Sequence, residues 1–124
     1  MAIAKSDVPK ELVSKVYEAI AIAQATGGLR KGVNETTKAI ERGLARLVVV
    51  ASDVMPEEVV MHLPVLCDEK SVPCVFVPSK EELGKSAGIN VPTSSIAIVS
   101  EGDSKKLVAE ISAGVAALKK KKAE

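Results

Sequence analysis

Leu47-Val48-Val49-Val50-Ala51, at residues 47–51, is an unbroken apolar run. A strand with one wet face alternates apolar and polar side chains, so a continuous run is the pattern of a parallel strand covered by helices on both faces. It predicts the centre of a sheet. Upstream, Leu12, Val16, Ile20 and Ala23 recur at helical spacing, with Val13 and Tyr17 widening the stripe. Asp7 can cap that helix near Pro9, and Gly27 and Gly28 end it. Residues 29–32 leave room for a very short strand before a second helix that starts near Asn34, anchored by Val33, Thr37 and Ile40. Gly43 ends that helix as a residue able to take positive φ.

Downstream, Pro56 opens a helical segment containing Val59, Val60 and Leu63. Pro64 lacks an N–H, so the segment reads as a short helical turn followed by a second helix from Leu66 to Lys70. Residues 73–77 form the next strand. Ser79 and Glu82 have capping-box spacing for a helix over 80–87 that stops at Gly88. A loop over 88–94, a strand over 95–99 and a final helix complete the chain; Asp103 or Ser104 caps that helix, and Leu107, Val108, Ile111, Val115 and Leu118 form its stripe. Helices between successive strands give a three-layer α/β/α domain with right-handed crossovers, at a length that fits one domain over 1–124. A loose arm (1–8) and a disordered or fraying basic tail (119–124) flank it.

The net charge is only +1, from 17 basic and 16 acidic side chains. Non-specific nucleic-acid affinity is mostly phosphate neutralisation, so any such binding must come from placement of charge and fitted contacts. Arg30, Lys31, Lys38 and Arg42 outnumber Glu35 and Glu41 between Gly27 and Gly43, and Lys119 to Lys122 form a second basic cluster, consistent with solubility or loose phosphate contact. Glu57, Glu58, Asp68, Glu69, Glu81 and Glu82 gather elsewhere. No apolar run approaches the roughly eighteen residues of a membrane span, and the start MAIAKSDVPKE has no secretory apolar region, so a cytoplasmic protein is expected. Cys67, Cys74 and the single His62 are too few for zinc, and no cofactor is expected. The cysteines read as buried reduced thiols, with a disulfide as the lesser alternative. His62 packs or caps near the Pro64 bend.

Residues 27–43, GGLRKGVNETTKAIERG, carry the candidate chemistry. Glu35, Lys38 and Arg42 share a helical face, with Asn34 at its leading edge. The Gly-Val pair before the helix leaves first-turn N–H groups open to an anion. Phosphate alone has no use for Glu35, whereas a guanine edge offers donors to a carboxylate and acceptors to a lysine. One reading is base recognition in an irregular RNA flanked by phosphate contacts from Arg30, Lys31 and Arg42. The other is an ordinary solvated face with a weak Glu35–Lys38 pair. Ile89 and Val91 sit in a loop beside Pro92, and either tuck under it or offer an apolar surface to unstacked bases. Asp53, after the central run, could serve a phosphate-responsive receiver or small enzyme, but the acidic pair and lysine of receivers are missing. It reads better as capping or ordering the loop after it. GGLRKGV also lacks the ending of a phosphate-binding loop.

GVNETTKAIERG (32–43), HLPVLC (62–67), VPCVFVPSKEELG (72–84) and GINVPTSSIAI (88–98), in this order and spacing, resemble the kink-turn-binding ribosomal protein family called "L seven Ae", in its archaeal large-subunit form. The resemblance runs over nearly the whole chain. It implies a four-stranded mixed sheet and non-catalytic recognition of kink-turn and kink-loop RNA. By that resemblance Asn34, Glu35 and Lys38 match residues that contact tandem sheared guanine–adenine pairs, and Arg42 matches a basic position nearby. Residues 89–91 match the loop that packs on looped-out nucleotides, and Lys80 lies close to the RNA side. Pro92 stands where many relatives carry a small residue. The implied RNAs are ribosomal RNA, box C/D and H/ACA guide RNAs and ribonuclease P RNA, with protein partners in the guide particles and a monomer when free. The bland alternative is a general ribosomal scaffold without kink-turn preference.

Overall fold

The computed structural model describes residues 10–53, 58–89 and 91–123, with the backbone alone for 58–60 and 117–123. Its elements are α1 (Lys10–Thr26), β1 (Gly28–Lys31), α2 (Val33–Glu41), β2 (Leu47–Ala51), α3 (Glu58–Lys70), β3 (Cys74–Val77), α4 (Lys80–Ser86), β4 (Ser95–Ser100), a 3-10 turn at Gly102–Ser104 and α5 (Lys105–Ala123). The strands form one mixed sheet in the order β1-β4-β2-β3. β2 runs parallel to β3, with Val49 opposite Val75, and antiparallel to β4, with Val49 opposite Ile96. β4 also pairs antiparallel with β1. Helices α1, α4 and α5 pack together on one side, and α2 and α3 on the other. This is the three-layer α/β/α architecture with a four-stranded mixed sheet.

Every residue of β2 is buried, as the unbroken apolar run requires. Burying a Val or Leu side chain contributes about 1.5–3 kcal/mol, so this strand is a principal source of stability. Leu12, Val16, Ala19, Ile20 and Ala23 of α1 cover one face of the sheet. Val108, Ile111 and Val115 of α5 join the same core, with Leu107 partly buried against it. Cys67 and Cys74 are both buried and are not joined in a disulfide.

Three local expectations are corrected. Pro64 does not split its segment: α3 is one helix through Lys70 with Pro64 inside it. Proline removes one backbone bond from a helix interior, but Pro64 is itself buried, and Leu63 and Cys67 on either side are fully buried, so packing offsets the loss. Residues 119–123 are helical rather than a disordered tail. Lysine and alanine are good helix formers, and lysines at a helix C-terminus complement its dipole. Neither Asp103 nor Ser104 caps α5 by accepting a bond: the chain enters through the 3-10 turn, where the Ser104 hydroxyl donates to the Glu101 carbonyl. The expected arm with Asp7, the Pro56 start and Asn90 lie outside the described residues. Leu118 is described by its backbone alone.

Tyr17 is packed where α1 meets α4. Its hydroxyl is buried with no partner at hydrogen-bond geometry. Burial raises the phenol's pKa above its ordinary 10.0, the nearby Ser79 backbone offsets part of this, and Glu82 and Asp53 add to it. The folded state therefore keeps the proton to higher pH than the unfolded chain, and stability falls as pH rises above the ordinary tyrosine range. Tyr17→Phe should remove that alkaline loss while changing stability at neutral pH by less than about 1 kcal/mol. With one tyrosine in the chain, ultraviolet titration reads the group directly; ionisation at or below the ordinary value would contradict this assignment.

Candidate functional site

The site begins where β1 turns into α2. Gly32 donates its N–H to the Ser95 carbonyl at 2.9 Å, ending the β1 ladder, and its own carbonyl accepts from Thr36 at 2.9 Å, starting the helix. It does both at φ 93° and ψ 160°, with no side chain capping the first turn. That backbone region is essentially restricted to glycine. No neighbour lies within 4 Å of where a Cβ would stand, so the constraint is conformational rather than steric. Gly32→Ala should cost about 1–3 kcal/mol in chemical denaturation; wild-type stability in that variant would show that the turn is not constrained. The consequence of the glycine cap is a bare helix start, whose N–H groups and positive dipole end face outward.

Asn34, Glu35 and Lys38 stand on this start and are all exposed. Glu35 Oε1 and Lys38 Nζ are 3.7 Å apart, each side chain more than half exposed. Such a pair contributes about 0–1 kcal/mol, so both groups are free to exchange one another for an outside partner. Arg42, also exposed, is the C-cap of α2. It lies on the same face as Glu35 but about 12 Å further along the axis from Asn34. Arg30 and Lys31 are exposed on the edge strand β1, immediately before the Gly32 turn.

The buried face of α2 is rotated from the expected one. Thr36, Ala39 and Ile40 are buried, while Val33 and Thr37 are only partly so. The Thr37 hydroxyl donates to the Val33 carbonyl at 2.7 Å and lies 2.9 Å from His62 Nε2 on α3. One hydroxyl hydrogen cannot serve both, so Nε2 carries the proton and donates to Thr37. His62 thus ties α3 to α2 rather than serving the Pro64 turn.

Thr36 points into a buried polar seam. Ser95 Oγ donates to Thr36 Oγ1 at 3.3 Å, and Thr93 Oγ1 donates to the Ser95 carbonyl at 3.3 Å. Thr36, Thr93 and Ser95 are three of the four buried polar residues described, the other being Ser104. Buried hydroxyls are costly unless paired. Here they join the start of α2 to the segment leading into β4, so the two parts of the surface hold a fixed relation. These residues were not picked out from sequence as contributors; the signal was a run of hydroxyls, Thr93-Ser94-Ser95, entering an apolar strand.

That segment carries the apolar loop. Val91 is 63% exposed, among the most exposed large apolar side chains described, while Ile89 is partly buried against the core. Between the alternatives of tucking under and standing out, Val91 stands out and Ile89 supports it. With Glu81, Lys85 and Pro92 they line a hollow of about 270 Å³. Glu81 thus stands at this loop, so the acidic residues are not confined to a remote side. Lys80 is partly buried at the first turn of α4. Its N–H donates to Asp53 Oδ1 at 2.9 Å and its carbonyl accepts from Thr93 N–H at 3.2 Å. Asp53 therefore holds a first-turn N–H of α4, beside the Ser79 cap; the loop that follows Asp53 in sequence, which it was expected to cap or order, lies outside the described residues.

The three-layer α/β/α domain thus ties a bare, polar helix start and the segment that carries an exposed apolar loop to one framework of buried hydroxyls. The chain belongs to the ribosomal protein L7Ae/L30e/S12e/Gadd45 family, which residues 14–108 match. Among solved structures it is similar to the Giardia lamblia 15.5kD RNA binding protein, at 36% identity and a TM-score of 0.85, covering 90% of this chain and 92% of that one.

Proposed function

We propose that this chain is a non-catalytic RNA-binding protein that recognises kink-turn and kink-loop motifs. The observation that supports the proposal is that exposed Asn34, Glu35 and Lys38 on the bare start of α2, and the segment carrying exposed Val91, are tied to one framework by Thr36, Ser95 and Thr93. Sheared guanine–adenine pairs leave guanine edges open. The Glu35 carboxylate accepts from guanine N–H donors, Lys38 donates to O6 or N7, and Asn34 holds the paired bases or their backbone. Arg30, Lys31 and Arg42 neutralise phosphates crowded by the bend, Lys80 adds a backbone contact, and Val91 with Ile89 gives looped-out bases an apolar rest.

A net charge of +1 cannot support strong binding by neutralisation alone. Affinity instead comes from contacts that only the bent RNA offers, so the protein shifts a pre-existing equilibrium toward that state. A protein reading a shared RNA shape serves several particles: the large ribosomal subunit, box C/D and H/ACA guide ribonucleoproteins that direct 2′-O-methylation and pseudouridylation, and ribonuclease P in tRNA processing. It acts there in an archaeal cytoplasm, as a single RNA-binding domain that is monomeric when free and meets protein partners on the assembled RNA.

The test is the bend itself. A kink-turn RNA with a donor and an acceptor dye on its two arms, held at low divalent salt, should move to high energy transfer on addition of protein. The same RNA with its sheared pairs converted to Watson–Crick pairs should stay extended. Protein that binds both RNAs without changing transfer in either would end the proposal.

A further inference from the structure

Gly84 lies in the middle of α4, a seven-residue helix. Glycine there costs about 1 kcal/mol relative to alanine, and its φ is not positive, so conformation does not explain it. The loop above it does. A Cβ on Gly84 would overlap the carbonyl oxygen of Val91 and stand 3.1 Å from the carbonyl carbon. The Gly84 carbonyl also accepts from Ile89 N–H at 3.1 Å. Both ends of the apolar loop therefore rest on this one residue. A further tie of the loop passes through Lys80, whose carbonyl holds Thr93 and whose N–H is held by Asp53.

We propose that Gly84 is a positioning residue for the apolar half of the RNA site: the bare Cα lets the Val91 backbone settle on α4, and Asp53 fixes that platform through Lys80. Neither residue touches the RNA. Both act by setting where the exposed Val91 side chain stands, since Val91 is the residue whose own carbonyl rests against Gly84. The inference rests on the kink-turn reading. It adds that the apolar contact is specified from beneath the loop, by helix α4, as well as from Thr93 and Ser95 beside it. Contacts to a ligand are lost when their support moves by about 1 Å, so a displaced loop should weaken binding without any change in the polar face.

The test measures affinity of the full chain for a kink-turn RNA and for the same RNA with its looped-out nucleotides made abasic. Gly84→Ala should weaken binding to the intact RNA by roughly tenfold. It should add nothing to Val91→Ala in the double variant, and should have no effect on the abasic RNA. Asp53→Ala should follow the same pattern with a smaller loss. Asp53→Asn keeps an oxygen acceptor and should restore binding, which a general loss of stability would not do. If Gly84→Ala does not yield folded protein, the Asp53 pair decides.

Wild-type affinity in both Gly84→Ala and Asp53→Ala would overturn the positioning role. So would losses that persist on the abasic RNA and add to Val91→Ala. Wild-type protein that still prefers intact over sheared-pair-mutated RNA would show that only this inference has failed. Equal binding to those two RNAs, with Glu35→Ala silent, would overturn the kink-turn reading and this inference with it.

Discussion

Ile98→Ala should lower the free energy of unfolding by about 2–5 kcal/mol, the range for deleting most of a buried isoleucine from a close-packed core. Ile98 is fully buried on β4, an interior strand with neighbours on both sides. It stands opposite Leu29 of β1 and Leu47 of β2, and its carbonyl accepts from Arg46 N–H at 2.7 Å. The backbone bonds survive the substitution, so the loss measures packing. The cavity would open where β4 joins the strand leading to α2 with the central strand, and neither side collapses easily because both are fixed by their ladders. Urea denaturation of the two proteins gives the difference; a loss below about 1 kcal/mol would mean that this part of the core is loosely packed.

Glu35→Ala should behave in the opposite way, with stability almost unchanged and binding selectively lost. Its pair with Lys38 is exposed, and removing such a pair moves stability by no more than about 1 kcal/mol. A carboxylate that reads a guanine edge is worth about 1–3 kcal/mol of discrimination, so affinity for an intact kink-turn should fall by roughly ten- to a hundredfold. Affinity for the RNA with Watson–Crick pairs should not fall, and should rise slightly, because a negative charge has left a phosphate-rich contact. Arg42→Ala should weaken both RNAs alike. If Glu35→Ala tightened binding to every RNA equally, the carboxylate would be a repulsive bystander.

The sequence carried these features unevenly, for physical reasons. The unbroken run at 47–51 was readable because a strand buried on both faces has no polar alternation, and all five residues are buried. The Ser79 and Glu82 spacing was readable because capping is local, and the Ser79 hydroxyl does accept from Glu82 N–H. Pro64 misled because local breaking strength says nothing of the tertiary packing that opposes it. The rotation of α2 was hidden because Thr36 and Thr37 are identical in type; only Ser95, brought in from 59 residues away, gives Thr36 a buried partner. Likewise the Asp53 bond to Lys80, 27 residues away, was hidden, since it depends on β2 and β3 being parallel neighbours whose ends lie together. The candidate residues on α2 could be placed on one face from helical spacing. The tie between Thr36 and the segment that follows Val91 could not, because it depends on strand order.

The most direct measurement is the affinity of wild-type protein for a kink-turn RNA and for its sheared-pair mutant at near-physiological salt. Recognition through Asn34, Glu35 and Lys38 predicts tighter binding to the intact motif by on the order of a hundredfold or more, since each disrupted pair costs about 1–3 kcal/mol. Equal affinities that fall together as salt is raised would contradict it, and would leave phosphate attraction as the only interaction.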